Sequence, residues 1–166
     1  MKMDYSASYD KGTMARAQGV SLPVSVKQLR EICHAIRGRS YAKAVRHLES
    51  VMKMERAIAY TRFNRGGTGH RPGIGPGRYP VKACGCVLEV LQSAKENAKQ
   101  KGFNEAELVV RSAVAKQGPK TFHAGRKRGR KAKRAHVEIV VLQVKSVVAG
   151  KQPAVKDVEN AGVGKK

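Results

Sequence analysis

A basic segment of 17 residues, 118–134, separates two runs of alternating apolar residues in the second half of the chain. The segment contains eight Lys and Arg residues and no acidic residue. The runs at 108–116 and 137–145 have the alternation of half-buried β-strands. We therefore predict a β-hairpin whose strands are joined by a basic arm, residues 117–136. Because like charges repel, such an arm favours contact with a polyanion.

The charge of the whole chain supports the same kind of partner. The formal net charge is +22 over 166 residues, and acidic residues are absent from 56–88 and from 108–137. This balance favours nucleic acid first and an anionic membrane surface second. No stretch approaches the roughly 20 apolar residues of a membrane-spanning helix, and Asp4 and Asp10 make the N-terminus unlike a signal peptide. We expect a cytoplasmic protein without a membrane partner.

Apolar periodicity predicts three helices. The first begins at Ser25, where Gln28 completes a capping box, and ends at Gly38. The second follows Ser40, and the third has Pro80 in its first turn and ends before Gly102. Polar side chains are expected to face outward from the first helix: Lys27, Arg30, Glu31, His34 and Arg37.

These elements predict one α+β domain over 21–148, preceded by an extended segment, 1–20, and followed by a disordered tail, 149–166. The region around Leu22 could add a third, short strand to the hairpin. The segment 58–80 contains six glycines and three prolines, a composition that argues against helix and regular strand. Arg and aromatic residues alternate along this loop, and both can stack on unpaired bases.

Candidate sites for other chemistry are weak. Cys84 and Cys86 lie two residues apart without the second pair that a structural zinc site needs, and with Cys33 they form an odd set, so we expect buried thiols rather than metal ligands or disulfides. The glycines at 66–77 lack the context of a P-loop or a dinucleotide-binding turn. The five histidines form no catalytic set. The sequence thus predicts no enzyme activity, no metal and no cofactor.

Nucleic acid binding remains as the leading interpretation. RNA is favoured over DNA because no helix reads as a groove-reading element of a dimer, whereas the loop and arm suit irregular RNA. A DNA-compacting or chromatin-like protein is the alternative. A nucleic-acid-modifying enzyme is a third reading, but it would need an acidic or metal cluster near the acid-free loop.

Several motifs, taken together, resemble one known family. They are Ile36-Arg37-Gly38, the stretches 62–67, 69–73 and 75–82 (RFNRGG, GHRPG and GPGRYPVK), Gly118-Pro119-Lys120 and the closing run HVEIV at 136–140. In this order they resemble the universal large-subunit ribosomal protein 22 family, in its archaeal/eukaryotic branch, whose eukaryotic members are numbered 17. The resemblance covers roughly residues 5–145.

The resemblance implies a fold and a role. The fold would be three helices packed on a small three-stranded antiparallel sheet, with a long protruding β-hairpin. The role would be structural: binding several domains of large-subunit rRNA, helping subunit assembly and lining the polypeptide exit tunnel beside ribosomal protein 4 and the nascent polypeptide. Neither catalysis nor a homo-oligomer is implied.

The basic segments and the resemblance together indicate which side chains would contact rRNA. From the globular part they are Arg16, Lys27, Arg37, Arg39 and Lys82. From the loop they are Arg62, Arg65, His70, Arg71 and Arg78. From the arm and its base they are Lys116, Lys120, Arg126, Lys127, Arg128, Arg130, Lys131, Lys133 and Arg134. The tip of the hairpin, which would line the tunnel, comprises His123, Ala124, Gly125, Arg126 and Arg128.

Overall fold

The computed structural model describes residues 5–65 and 68–144. The helices are α1 (Val26–Ile36), α2 (Tyr41–Met52) and α3 (Val81–Gln100). The strands are β1 (Met14–Leu22), β2 (Ile58–Ala59), β3 (His70–Arg71), β4 (Gly75–Arg78), β5 (Leu108–Gln117) and β6 (Ala135–Gln143). Three helices and antiparallel strands confirm the predicted α+β class. The predicted tail, 149–166, lies outside the described residues.

The larger sheet has the order β1-β6-β5, and both pairings are antiparallel. The hairpin strands β5 and β6 pair from Leu108 opposite Gln143 to Gln117 opposite Ala135, and the register shifts once, between Val110 and Ser112. The third strand, β1, is longer than the short strand expected around Leu22 and begins inside the segment 1–20. This segment therefore contributes an edge strand to the sheet.

The helices bury a continuous core against this sheet. Helix α3 packs on β1 and β6, α1 packs on β5, and α2 packs on α3. Small residues on β1 allow α3 to lie close: a Cβ placed on Gly19 would stand 2.7 Å from Cγ2 of Val90. Core side chains such as Leu29, Leu91 and Ile139 are fully buried.

A second sheet forms where regular strands were not expected. Strands β2, β4 and β3 pair antiparallel in that order, with Ile58 opposite Arg78 and His70 opposite Pro76. The prediction that 58–80 contains no regular strand is therefore wrong, as is the expectation of a single sheet. The left-handed φ of Gly73 (72°) and Gly75 (77°) lets the chain turn between β3 and β4.

Two helix starts are placed correctly but are not capped as predicted. Ser25 and Ser40 occupy the N-cap positions of α1 and α2, yet neither side chain makes a capping hydrogen bond. The capping box between Ser25 and Gln28 is therefore absent, and Pro80 is the N-cap of α3 rather than a residue of its first turn. Among the described residues, no helix is both long and apolar enough to cross a membrane.

Candidate nucleic-acid interface

The basic arm continues from β5 and β6 as a paired but exposed segment. At its base the amide of Gly118 donates to the carbonyl of Arg134 (3.0 Å). Further out, Ala132 N donates to Thr121 O (2.7 Å) and His123 N donates to Arg130 O (3.0 Å). Every residue from 119 to 131 is exposed. The arm thus holds its cations in solvent on a backbone that is hydrogen-bonded across its width.

The loop after β2 is anchored by one carboxylate. Glu31 accepts hydrogen bonds from the amides of Phe63 (2.9 Å) and Arg62 (3.0 Å) on Oε1, and from the amide of Thr61 (3.2 Å) on Oε2. Burial raises the pKa of Glu31, but these bonds outweigh that effect, so its pKa lies below the ordinary range. Glu31 was expected to face outward; it is 2% exposed because the loop covers it.

Cations gather around the aromatic ring that Glu31 fixes. The charged groups of Lys27, Arg62 and Arg30 lie 5.7, 5.9 and 6.0 Å from the centre of the Phe63 ring. These distances allow cation–π attraction. The first turns of α1 and the loop therefore form one surface, which we call the loop surface, and Arg65 follows as an exposed residue of the same loop.

The second sheet presents the other predicted loop residues. His70 and Arg71 form β3 and are exposed, whereas Arg78 ends β4 and is half-buried. The Arg71 guanidinium lies 5.1 Å from the ring centre of Tyr79. A Cβ on Gly77 would stand 3.2 Å from the carbonyl oxygen of Ile58, so the close pairing of β2 and β4 favours glycine there.

Four of the predicted contact residues, among others, already have partners inside the protein. The Arg16 guanidinium lies between the rings of Tyr5 and Tyr9, 4.5 and 4.4 Å from their centres. One N–H of Arg37 donates to Ala113 O (2.9 Å). The last two join sheet residues: Lys116 forms an ion pair with Glu138, and Arg134 donates to Ser21 O. These side chains connect elements of the fold whatever else they bind.

Most of the remaining predicted residues are available to a partner. The exposed ones are Lys27, Arg62, Arg65, His70, Arg71, Lys82, Lys120, Arg126, Lys127, Arg128, Arg130, Lys131 and Lys133. Arg39 is half-buried. At the expected hairpin tip, His123, Ala124, Gly125, Arg126 and Arg128 are all exposed.

Sequence reasoning missed several candidates. Phe122 is 63% exposed in the arm, with the ammonium of Lys131 4.9 Å from its ring centre. An aromatic residue inside a basic segment is the signal that could have identified it. Arg30, beside Phe63, is another. A third group, formed by Lys43, Arg46 and Arg56, lies around α2, and no sequence spacing connects Arg56 with that helix.

The cysteines have the character of buried core residues. Burial raises the pKa of both Cys33 and Cys84 to about 12, so these thiols stay protonated. Cys86 is half-buried, and all three are free thiols. Within residues 5–65 and 68–144, no group of three or more His, Cys, Asp or Glu residues could hold a metal ion.

Comparisons with known proteins converge on one family. Residues 17–142 match the family model described as ribosomal protein L22p/L17e. The chain is 37% identical over 153 residues to the large ribosomal subunit protein uL22 of Methanothrix thermoacetophila, covering 87% of this chain and 99% of the relative. It is 34% identical over 150 residues to the protein of that name from Methanocaldococcus jannaschii, and the match covers 84% of this chain and 94% of that protein. The chain is 40% identical over 114 residues to the large ribosomal subunit protein uL22 of Thermoplasma volcanium, and the match covers 69% of this chain and 76% of that protein.

Proposed function

This chain belongs to the ribosomal protein L22p/L17e family, and from that membership we propose that it is a structural, non-catalytic constituent of the large ribosomal subunit that binds rRNA. It acts in the cytoplasm, as part of the ribosome. Its partners are several domains of large-subunit rRNA and neighbouring proteins near the exit tunnel, including ribosomal protein 4. It works there as a single copy and helps the subunit to assemble.

The observation that carries this proposal is the placement of charge. Acidic residues are absent from 56–88 and 108–137, and these segments build the loop surface, the second sheet and the arm. Cations dominate each of them, and β2 and the strands that carry the arm belong to one apolar core. Such an arrangement suits an RNA with several backbone segments, because phosphate contacts from separate surfaces position those segments relative to one another.

Within this role, individual residues take different tasks. Lys27, Arg62, Arg65 and Arg71 contact phosphates from the loop side, and Phe63 supports the charges around it. Lys120 and the cations between Arg126 and Arg134 contact rRNA along the arm. The arm is proposed as a long hairpin that protrudes into the rRNA, and its tip, from His123 to Arg128, lines the exit tunnel and meets the nascent polypeptide.

Co-sedimentation with ribosomal subunits tests the main proposal. The native protein should remain with the large subunit, one copy per particle, through a sucrose gradient at high salt. A protein held only by a few superficial phosphate contacts would dissociate, because salt weakens each of them and no other interaction would retain it. Release at moderate salt, or migration with genomic DNA, would instead support the DNA-compacting alternative.

Crosslinking tests the tunnel position of the arm. A photoreactive amino acid at His123 should crosslink to the nascent chain of a stalled ribosome. The same probe at Lys99, an exposed position on α3, is the control and should give no such product. Equal labelling from both positions, or none from His123 in assembled subunits, would remove the tip from the tunnel wall.

A further inference from the structure

A groove of about 960 Å³ lies between α2 and α3. Its third wall is the 3₁₀ helix Glu105–Glu107, which directly precedes β5. Ala42 and Val45 of α2 and Ala106 of the 3₁₀ helix line it, together with Tyr41, which is 7% exposed. More than half of the groove surface is apolar. The groove is therefore suited to a ligand that carries apolar side chains.

The groove differs in charge from the basic surfaces of the molecule. Four of the 12 acidic residues of the chain lie in it or beside it: Glu49, Glu96, Glu105 and Glu107. Burial raises the pKa of the Tyr41 hydroxyl, the ammonium of Lys95 opposes this effect, and the carboxylates of Glu105, Glu96 and Glu49 add to it. Carboxylates repel phosphate groups, so a nucleic-acid backbone is disfavoured here.

Cations of the protein neutralise this acidity only in part. Two cations, Arg46 and Lys95, also line the groove, and Lys95 forms an ion pair with Glu105. Lys99 pairs with Glu96 at 3.5 Å. The side chains of Glu105 and Glu96 nevertheless remain 46% and 62% exposed. Because a carboxylate has two oxygens and accepts several hydrogen bonds, each of these acids can receive a second cation.

The chain leaves the larger sheet next to this groove. Strand β6 runs antiparallel to β5, so the end of β6 points past the start of β5 toward the 3₁₀ helix. The amide of Val144 donates to the carbonyl of Glu107 (3.0 Å), and Nε2 of Gln143 donates to Oε2 of the same residue (3.1 Å). Residues 145–166 therefore continue from a point one residue away from Ala106 in the groove wall.

The first residues after this point have a composition that complements the groove. Residues 145–151 read KSVVAGK, with two valines between two lysines and no acid. Seven residues can span at most about 25 Å, and this segment starts beside the groove that it would enter. The family model ends at residue 142, so the segment lies outside the matched family pattern.

From these observations we propose that the KSVVAGK segment, residues 145–151, binds in the groove of its own molecule. Its two valines cover Val45 and Ala106, and its two lysines pair with Glu96 and Glu105. A segment that is tethered beside its site has an effective concentration in the millimolar range, so modest contacts are sufficient. The bound segment holds the 3₁₀ helix against α2 and α3. This contact forms within one chain, so it does not depend on the function proposed above.

NMR of the full-length protein, labelled at its alanine and valine methyl groups, tests this contact. The methyl resonances of Val45 and Ala106 should differ between wild type and Val147→Ser/Val148→Ser. In wild type, methyl cross-relaxation should also join Val45 to the two valines of the KSVVAGK segment. The matched control is Val155→Ser/Val158→Ser, which makes the same change further along the chain and should leave both groove resonances in place.

Three results would overturn the KSVVAGK segment as the occupant. The first is identical groove resonances in wild type and Val147→Ser/Val148→Ser. The second is an equal shift in this variant and its control, which would indicate a general effect of the residues after Val144. The third is a contact between labelled and unlabelled chains that grows with protein concentration, which would place a second copy in the groove.

Crosslinking identifies the occupant directly. A photoreactive amino acid replaces Ala42, an exposed residue that lines the groove, in the purified full-length protein. Digestion and mass spectrometry should find an intrachain product that contains residues 145–151. The same probe at Lys120, an exposed residue of the arm at the opposite end of the sheet, is the control and should give no such product. Equal yields from both positions, or a product from Ala42 with another chain only, would overturn the proposal.

Discussion

At the scale of single residues, Glu31 links the fold to the candidate interface. Its carboxylate accepts three backbone amides of the loop, and the same loop carries Arg62 and Arg65. Hydrogen bonds to a charged group are stronger than those to a neutral one, and a buried acceptor without donors is costly. An acid on α1 therefore determines where cations on another segment point.

Replacing this acid should loosen the loop. In Glu31→Gln, one carboxylate oxygen becomes an NH₂ group that faces N–H donors. We expect the free energy of unfolding to fall by about 1 to 3 kcal/mol, the cost of leaving a buried donor or acceptor without its partner. Chemical denaturation measures this loss, and amide hydrogen exchange at 61–63 should become faster. The control Glu96→Gln removes an exposed acid that forms an ion pair with Lys99, and it should change stability by about 0.5 kcal/mol or less.

The pH dependence of this contribution has a definite sign. The pKa of Glu31 is lowered in the folded protein, so its stabilising effect is fully present above the unfolded value, about 4.3. The effect is lost as the pH falls through the folded pKa. The stability difference between wild type and Glu31→Gln should therefore be constant at neutral pH and shrink in acid. A difference that grows on acidification would contradict this assignment.

Some residue roles could not be predicted from sequence. The positions of the cations follow from composition and from the two acid-free segments. The burial of Glu31, the placement of Arg16 between two tyrosine rings and the bond from Arg37 to Ala113 depend on contacts between residues far apart in the chain. Local patterns of charge and hydrophobicity carry no information about such partners.

At the scale of elements, predictability follows the strength of the periodic signal. The three helices have wide apolar stripes and were predicted close to their observed bounds. Strand β1 was largely missed because its inward residues, Ala15, Ala17 and Gly19, are small and give a weak apolar alternation. Strands β2 to β4 are only two to four residues long. They form through tertiary contacts, such as the bond from Tyr60 N to Pro76 O (2.8 Å).

The base of the arm offers a test of this element. A Cβ on Gly118 would lie 3.1 Å from the carbonyl carbon of Arg134 and 3.1 Å from Nε2 of His136. We expect Gly118→Ala to force these neighbours apart and to reduce the free energy of unfolding by about 1 to 3 kcal/mol, as overpacking does elsewhere. The midpoint of guanidinium chloride unfolding measures the change.

Another glycine of the same arm supplies the control. A Cβ on Gly129 would meet no atom within 4 Å, so Gly129→Ala should leave stability within about 0.5 kcal/mol of wild type. If both alanine variants unfold at the same denaturant concentration, the close approach at Gly118 does not constrain the arm.

At the scale of the whole molecule, the apolar core that stabilises the fold is separate from the basic surfaces. The core lies between the helices and one face of the larger sheet. On the other side of that sheet, Ser6 N donates to the buried Glu138 (3.0 Å), and Lys116 pairs with the same carboxylate. The net charge of +22 is carried mostly by surfaces that the core does not use. A rigid body with separate basic surfaces can hold separate RNA segments at a fixed distance.

If the basic surfaces hold separate RNA segments, the loop surface and the arm should protect different rRNA nucleotides from hydroxyl-radical cleavage. Two triple variants of the full chain are compared on large-subunit rRNA by hydroxyl-radical footprinting: Arg62→Gln/Arg65→Gln/Arg71→Gln and Arg126→Gln/Arg128→Gln/Arg130→Gln. Each removes three cations, so each salt slope should fall by about 2 to 3, at 0.7 to 0.9 for each phosphate contact.

The footprints distinguish a clamp from general attraction. Because the two surfaces lie on different elements of the fold, the loop variant should lose protection at one set of nucleotides and the arm variant at another. Combining all six substitutions should add the two losses in binding free energy, since the groups share no partners. If both triple variants lose the same nucleotides, or if each weakens all protections evenly, the charges act as one diffuse field and the molecule does not clamp separate RNA segments.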